Sequence, residues 1–231
     1  MDFILELGDV EKIYHLGEVR LPVLKGINLK IRRGEKVAIM GPSGSGKSTI
    51  LHIAGCLDRP TKGKVFVDNK DVSKLSDSEL ARIRRDRVGF VFQFFYLVPS
   101  LTALGNVMLP MIFSGKQSRE RAEKLLNDVG LPERKEHLPS QLSGGERQRV
   151  AMARAMANDP DIIMADEPTG NLDSKSGKEV IDYLLKLNEK KGVTLIMVTH
   201  DKNIASNADR IIYLKDGKII KEVKKRRPKR S

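Results

Sequence analysis

The sequence predicts an α/β protein: a mostly parallel, doubly wound sheet, opened by an antiparallel β-rich segment and interrupted by an α-helical insertion. Three observations predict it. Short apolar, β-prone runs alternate with helical stretches towards both ends of the chain. Between Phe94 and about Ala157 the pattern is helical throughout. A glycine-rich stretch, residues 41–49, joins a buried-type strand to a helix, the connection at which open α/β sheets take ligands.

Phe3 to Leu7 alternates as a strand, Gly8-Asp9-Val10 reads as a turn, and Leu24 to Ile31 supplies further strand. Arg32-Arg33-Gly34-Glu35 turns into the apolar strand Lys36 to Met40, and Thr49 to Gly55 reads as the first turns of a helix. Lys64 to Val67 with Asp68-Asn69 suggests a hairpin. Ser76 and Glu79 have capping-box spacing and start a helix to about Arg85, before the strand Val88 to Phe92. The insertion holds three helix candidates: Thr102 to Pro110, Ser118 to Val129 and Ser143 to Asn158. Alternation then returns: strand Ile162 to Ala165, helix Lys178 to Lys190, strand Val193 to Val198, short helix Ile204 to Ala208. A final hairpin turns at Asp216-Gly217.

The chain has 231 residues, enough to bury a sizeable interior, and is 40% hydrophobic and 31% charged, the balance of a soluble globular protein. Apolar runs such as Val107 to Phe113 are short and broken by Pro110, so no membrane span is expected. With Asp2, Glu6 and no basic leader, the N-terminus is not expected to be a signal peptide. The single cysteine, Cys56, excludes an internal disulfide and fits a reducing cytosol. Net charge is +12, and six of the positive charges lie between Lys224 and Arg230. Such a tail is either a solvated end or a contact for nucleic acid or an anionic membrane face.

Gly41-Pro42-Ser43-Gly44-Ser45-Gly46-Lys47-Ser48-Thr49 fits the phosphate-binding loop pattern. Its glycines permit turns at positive φ and let N–H groups approach an anion, at which the following helix aims its positive dipole end. Lys47 suits β- and γ-phosphates, and the Ser48 hydroxyl suits Mg²⁺. A nucleoside triphosphate is therefore the expected ligand. The apolar strand from Ile162 ends in Asp166-Glu167. Asp166 is the candidate for completing the Mg²⁺ shell, and Glu167 for orienting and deprotonating an attacking water.

Leu142-Ser143-Gly144-Gly145-Glu146 reads locally as a capped helix start, with Ser143 and Glu146 at capping-box spacing. Two glycines in a first turn cost helix propensity of about 1 kcal/mol each and leave N–H groups open to a second anion. With the phosphate loop and the Asp-Glu strand, this segment resembles the signature of the nucleotide-binding subunits of ABC transporters. The resemblance covers the chain to about Val223. It implies a P-loop NTPase core of the ABC type, with an N-terminal antiparallel β subdomain and an inserted α-helical subdomain. The corresponding boundaries are 1–93 and 158–223 for the core, 94–157 for the helical subdomain and 224–231 for the basic tail.

The resemblance assigns further roles. Tyr14 matches the aromatic that stacks on adenine. Gln93 matches the glutamine that touches Mg²⁺ and senses the γ-phosphate. Gly170-Asn171-Leu172-Asp173 resembles the loop by which one subunit contacts the other's site, with Asp173 as its dimer contact. His200 matches the switch histidine that holds the γ-phosphate and water. Ser143, Gly144, Gly145 and Glu146 would serve ATP bound by a partner copy, because one nucleotide cannot obviously serve both anion sites of a single chain. The implied assembly is a head-to-tail homodimer formed on ATP binding, with ATP and Mg²⁺ as cofactors.

A lone cassette implies separate integral-membrane permease subunits and a peripheral place on the cytoplasmic face of the cell membrane, with no nucleic acid expected. The apolar stretch Phe94 to Leu101 reads equally as a partner groove or as subdomain core. Arg82 to Gln93 and Asn106 to Pro110 resemble the lipoprotein-release and macrolide-export branch. Phe94, where many relatives carry a second glutamine, departs from it. The alternatives are a non-transport ABC ATPase acting on nucleic acid and a regulatory cell-division cassette with little turnover.

Overall fold

The computed structural model of the chain describes residues 2–225. The strands are β1 Phe3–Leu16, β2 Val19–Arg32, β3 Lys36–Met40, β4 Lys62–Val67, β5 Lys70–Asp71, β6 Val88–Phe92, β7 Ile162–Asp166, β8 Thr194–Val198, β9 Arg210–Lys215 and β10 Lys218–Lys224. The helices are α1 Lys47–Ala54, α2 Asp77–Arg87, α3 Ala103–Ser114, α4 Arg119–Asp128, α5 Gly144–Ala155, α6 Ser174–Lys191 and α7 Lys202–Ala205. They form two compact units, one containing residues up to Arg82 and from Thr194 onward, the other Ile83–Val193. Of the basic tail expected at 224–231, residues 226–231 lie outside the described residues.

In the first unit β1 pairs antiparallel with both β2 and β4, and β5 extends the sheet beside β4. The expected turn at Gly8-Asp9-Val10 is instead a bulge inside one 14-residue strand. Asp9 takes a left-handed φ of 51° there, and its N–H is satisfied by Asn28 Oδ1 at 2.9 Å. The bulge absorbs the residues without ending the ladder, a choice set by the partner strand. Alternate residues Leu5, Leu7, Leu29 and Ile31 are buried on its inner face. β3 lies parallel between β8 and β9, and β10 closes the edge antiparallel to β9. Val37, Ala38 and Ile39 have no exposure, as a central parallel strand requires.

In the second unit β6 and β7 run parallel, with Phe92 opposite Asp166. α3, α4 and α5 pack together, and α5 also packs on β6. α3 runs four residues past Pro110 and stops at Gly115, which takes φ +69°. Its Asn106, fully buried, accepts from Val98 N–H at 2.7 Å and donates to the Val98, Leu101 and Thr102 carbonyls. That side chain holds the irregular stretch ahead of the helix. Phe94 and Tyr96 are 64% and 63% exposed, so at these two residues the stretch is not subdomain core. Among the described residues no helix is long and apolar enough to cross a membrane.

Candidate functional site: a phosphate loop and a capped signature helix

The phosphate loop leaves the C-terminal end of β3 and enters α1, whose Ile50, Leu51, Ile53 and Ala54 are buried. No acidic residue occupies the helix's first turn, and its N-cap, Gly46, contributes no side chain. The end that carries positive partial charge is thus left for an outside anion. Gly46 takes φ +101°, and a Cβ there would lie 2.8 Å from Leu24 Cδ2. At Gly41 a Cβ would meet the Leu214 carbonyl oxygen at 2.2 Å. The loop therefore closes against β9 at Gly41 and against β2 at Gly46 only because both positions lack side chains. Lys47 folds back, its Nζ donating to the Gly41 and Pro42 carbonyls at 2.9 and 3.0 Å. Ser45 is buried and its Oγ has no hydrogen-bond partner. A cradle of small residues, an ammonium parked on loop carbonyls and an unsatisfied buried hydroxyl fit a phosphate chain.

His200 and Tyr14 belong to the same unit. Ile39 stands opposite Val198, so the segment after β8 emerges beside the start of the phosphate loop. Thr199 N–H donates to Ile39 O at 3.2 Å, and the exposed His200 comes next. Tyr14, on β1, donates its hydroxyl to Asp58 Oδ2 at 2.8 Å, and Lys12 Nζ lies 4.7 Å from its ring centroid. Burial and then the Asp58 carboxylate push the phenol above its usual range. Burial alone would raise Asp58, but hydrogen bonds from Lys12, Tyr14 and the Arg59 N–H outweigh it and hold this carboxyl low.

The second unit gathers the remaining candidates. β7, apolar and buried from Ile162 to Ala165, delivers Asp166 at its last residue and Glu167 just beyond. Glu167 takes φ 46°, an uncommon conformation for a side-chain-bearing residue, and its carbonyl accepts from Gly170 N–H at 3.0 Å. Gln93 follows the paired strand. Its Nε2 donates to Asn171 Oδ1 at 3.3 Å, and Asn171 Nδ2 donates to the Gln93 carbonyl at 3.1 Å. Gln93 is thereby joined to the loop that ends in Asp173. Asp173 itself caps α6, accepting from Ser176 and Lys175 N–H at 3.0 Å each and from the Ser176 hydroxyl at 2.8 Å, and these bonds, those of Ser176 first, draw its carboxyl below the usual range.

Ser143 and Glu146 form the expected capping box: Glu146 N–H donates to Ser143 Oγ at 3.2 Å, and Ser143 N–H donates to Glu146 Oε2 at 2.8 Å. The Ser143 N–H is the main reason that the Glu146 carboxyl falls to about 2; Arg134 Nε, 3.0 Å away, adds to it against the opposing effect of burial. Gly145 also has a packing role, because a Cβ there would meet Ser176 Oγ at 2.7 Å. At Gly144 the nearest neighbour of such a Cβ, Leu172 Cδ2, would be 3.6 Å away. Among the described residues no three His, Cys, Asp or Glu cluster as a metal site.

Three structural residues were invisible to motif reading. Gln148, on α5, is fully buried and donates to the Pro168 carbonyl at 2.6 Å and the Phe92 carbonyl at 3.2 Å. Arg154, at the end of α5, donates to the Phe95 carbonyl at 2.7 Å and to the Tyr96 carbonyl, the backbone of two successive left-handed residues. Asp58 anchors Tyr14 from 44 residues away. Gln148 and Arg154 sit at helical spacing after the signature, which was the one available signal; Asp58 had none.

The profile of the family "ABC transporter" matches residues 24–170. An uncharacterized ABC transporter ATP-binding protein of Methanocaldococcus jannaschii, MJ0796, is 55% identical over 230 residues, covering 96% of this chain and 98% of that protein. A macrolide export ATP-binding/permease protein, MacB of Shewanella, is 52% identical over 222 residues; the match covers 95% of this chain and 34% of that longer protein. A solved dimeric structure of the MJ0796 cassette, in a post-hydrolysis state bound to ADP and Pi, superposes with a TM-score of 0.90 at 52% identity, over 95% of this chain and 98% of that one. This likeness extends to the mixed α/β core, the antiparallel β subdomain and the helical insertion. Phosphate loop, carboxylate strand and capped signature helix thus stand on the fold that the family uses for them, and the chain belongs to the ABC transporter family as one of its ATP-binding cassettes.

Proposed function

We propose that the chain binds ATP with Mg²⁺ and hydrolyses it as one of two head-to-tail copies, driving separate permease subunits on the cytoplasmic face of a membrane. The observation that carries this reading is the phosphate loop: two side-chain-free positions against β9 and Leu24, an uncapped helix start and Lys47 poised on loop carbonyls. Residues 41–49 take the phosphates, with Lys47 exchanging its carbonyl partners for phosphate oxygens. Ser48 and Asp166, with Gln93, hold Mg²⁺, which when bound neutralises charge on the phosphate oxygens. Glu167 orients the water and accepts its proton, and His200 holds the γ-phosphate. Tyr14 stacks on adenine.

Ser143, Gly144, Gly145 and Glu146 close on the partner's nucleotide, and Asp173 lies at the contact between copies. The capping box supports this role by fixing the helix tip that would meet the phosphate. The dimeric form of the MJ0796 cassette supports the pairing, and the ATP-binding/permease organisation of MacB supports a membrane partner and the macrolide-export-like branch. Exposed Phe94, Tyr96 and Phe113 are then the apolar ground on which a permease would seat. The helical subdomain is assigned residues 94–157.

Glu167→Gln tests the reading. It should keep ATP binding, lose turnover and accumulate a dimer with ATP by size exclusion. Turnover at the parent rate in that variant would strip Glu167 of its role. Ser143→Arg should block the dimer while the monomer still binds nucleotide; loss of monomer binding would refute the assignment in trans.

A further inference from the structure

Tyr14 is held more tightly than a stacking ring needs to be. Its hydroxyl donates to Asp58 Oδ2 at 2.8 Å. Asp58 is fully engaged, its Oδ1 accepting from Lys12 Nζ at 2.6 Å and from Arg59 N–H at 2.7 Å. Lys12 Nζ is fixed in turn by the Arg59 carbonyl at 2.9 Å. Only 12% of the Lys12 side chain is exposed, and its ammonium lies over one face of the Tyr14 ring. A phenol on a strand would otherwise turn about two side-chain bonds. Here its oxygen is pinned by a carboxylate 44 residues away, and one of its faces is taken by a cation.

We propose that Asp58 and Lys12 are positioning residues for nucleotide binding: the chain Tyr14–Asp58–Lys12 sets the plane of the base-stacking ring. The ligand so recognised carries a purine base on its phosphate chain. This rests on Tyr14 as the base platform. Because the ring is ordered before the base arrives, its ordering is not charged against binding.

The test measures dissociation constants of the full chain for ATP and for inorganic tripolyphosphate, which shares the phosphates and lacks the base. Tyr14→Phe, which keeps the ring and removes its tether, and Asp58→Ala should each weaken ATP about threefold to tenfold, the ordering of one side chain. Tripolyphosphate should bind as to the parent. Tyr14→Phe removes one oxygen and carries the test even if Asp58→Ala fails to fold. The proposal falls if both variants keep the parent's ATP affinity, or if tripolyphosphate weakens as much as ATP. Tyr14→Ala separates the two levels. ATP weakened by it but not by Tyr14→Phe or Asp58→Ala leaves the platform standing and removes the positioning role; ATP unaffected by Tyr14→Ala removes both.

Discussion

Replacing Gln148 by Met should destabilise the protein by about 1–3 kcal/mol, although the exchange nearly conserves side-chain shape. The Pro168 carbonyl bears most of the loss. Its bond from Gln148 Nε2 is short, 2.6 Å, and buried, so its acceptor is left desolvated and unpaired at a cost of about 1–3 kcal/mol. The Phe92 carbonyl loses a longer bond of 3.2 Å and keeps the Phe95 N–H at 3.4 Å, so it adds about 1 kcal/mol at most. Against this, Gln148 Oε1 is buried without a partner, and its removal returns about 1 kcal/mol. Urea unfolding should show a lower midpoint at unchanged slope, and melting should fall by about 2–12 °C for a chain of this size. Turnover should fall as well, because the two carbonyls flank Gln93 and Glu167. A variant with the parent's midpoint would refute the reasoning, since it would mean that neither carbonyl depends on this amide.

Three further outcomes follow from the same geometry. The Glu146 carboxyl is held at about 2 in the fold and titrates near 4.5 when unfolded, so its stabilisation is complete above about 4.5 and is lost as pH falls towards 2. Glu146→Gln should therefore cost about 1 kcal/mol at pH 7 and almost nothing at pH 2, read by denaturant unfolding at both; a pH-independent difference would contradict it. Gly145→Ala gains about 1 kcal/mol of helix propensity but drives a Cβ to 2.7 Å from Ser176 Oγ, and overpacking of about 1–3 kcal/mol should prevail. Ser176→Gly should rescue it, and additive losses in the double variant would sink that explanation. Gly41→Ala must displace the loop from the Leu214 carbonyl, 2.2 Å from the new Cβ, so ATP binding measured by titration should be lost; parent affinity would show that the loop tolerates the shift.

Sequence alone was enough for the elements whose causes are local. The capping box at Ser143 and Glu146 closes within four residues, so spacing predicted it, and the structure shows both of its bonds. The phosphate loop is legible for the same reason: contiguous residues make the turns and the helix that follows supplies the dipole. The buried strands β3 and β7 were readable because a strand covered on both faces is apolar without interruption.

Tertiary structure decided what depends on partners far along the chain. Whether Gly8-Asp9-Val10 turns or bulges depends on β2 offering Asn28, nineteen residues later. Whether Phe94 and Tyr96 are core or surface depends on α5, whose Arg154 binds the backbone of Phe95 and Tyr96 and leaves those two rings outside. Why Gly145 has no side chain depends on Ser176 arriving beside it. Local propensity and periodicity carry no record of such encounters, because the burial and satisfaction of polar groups exist only once distant segments have met.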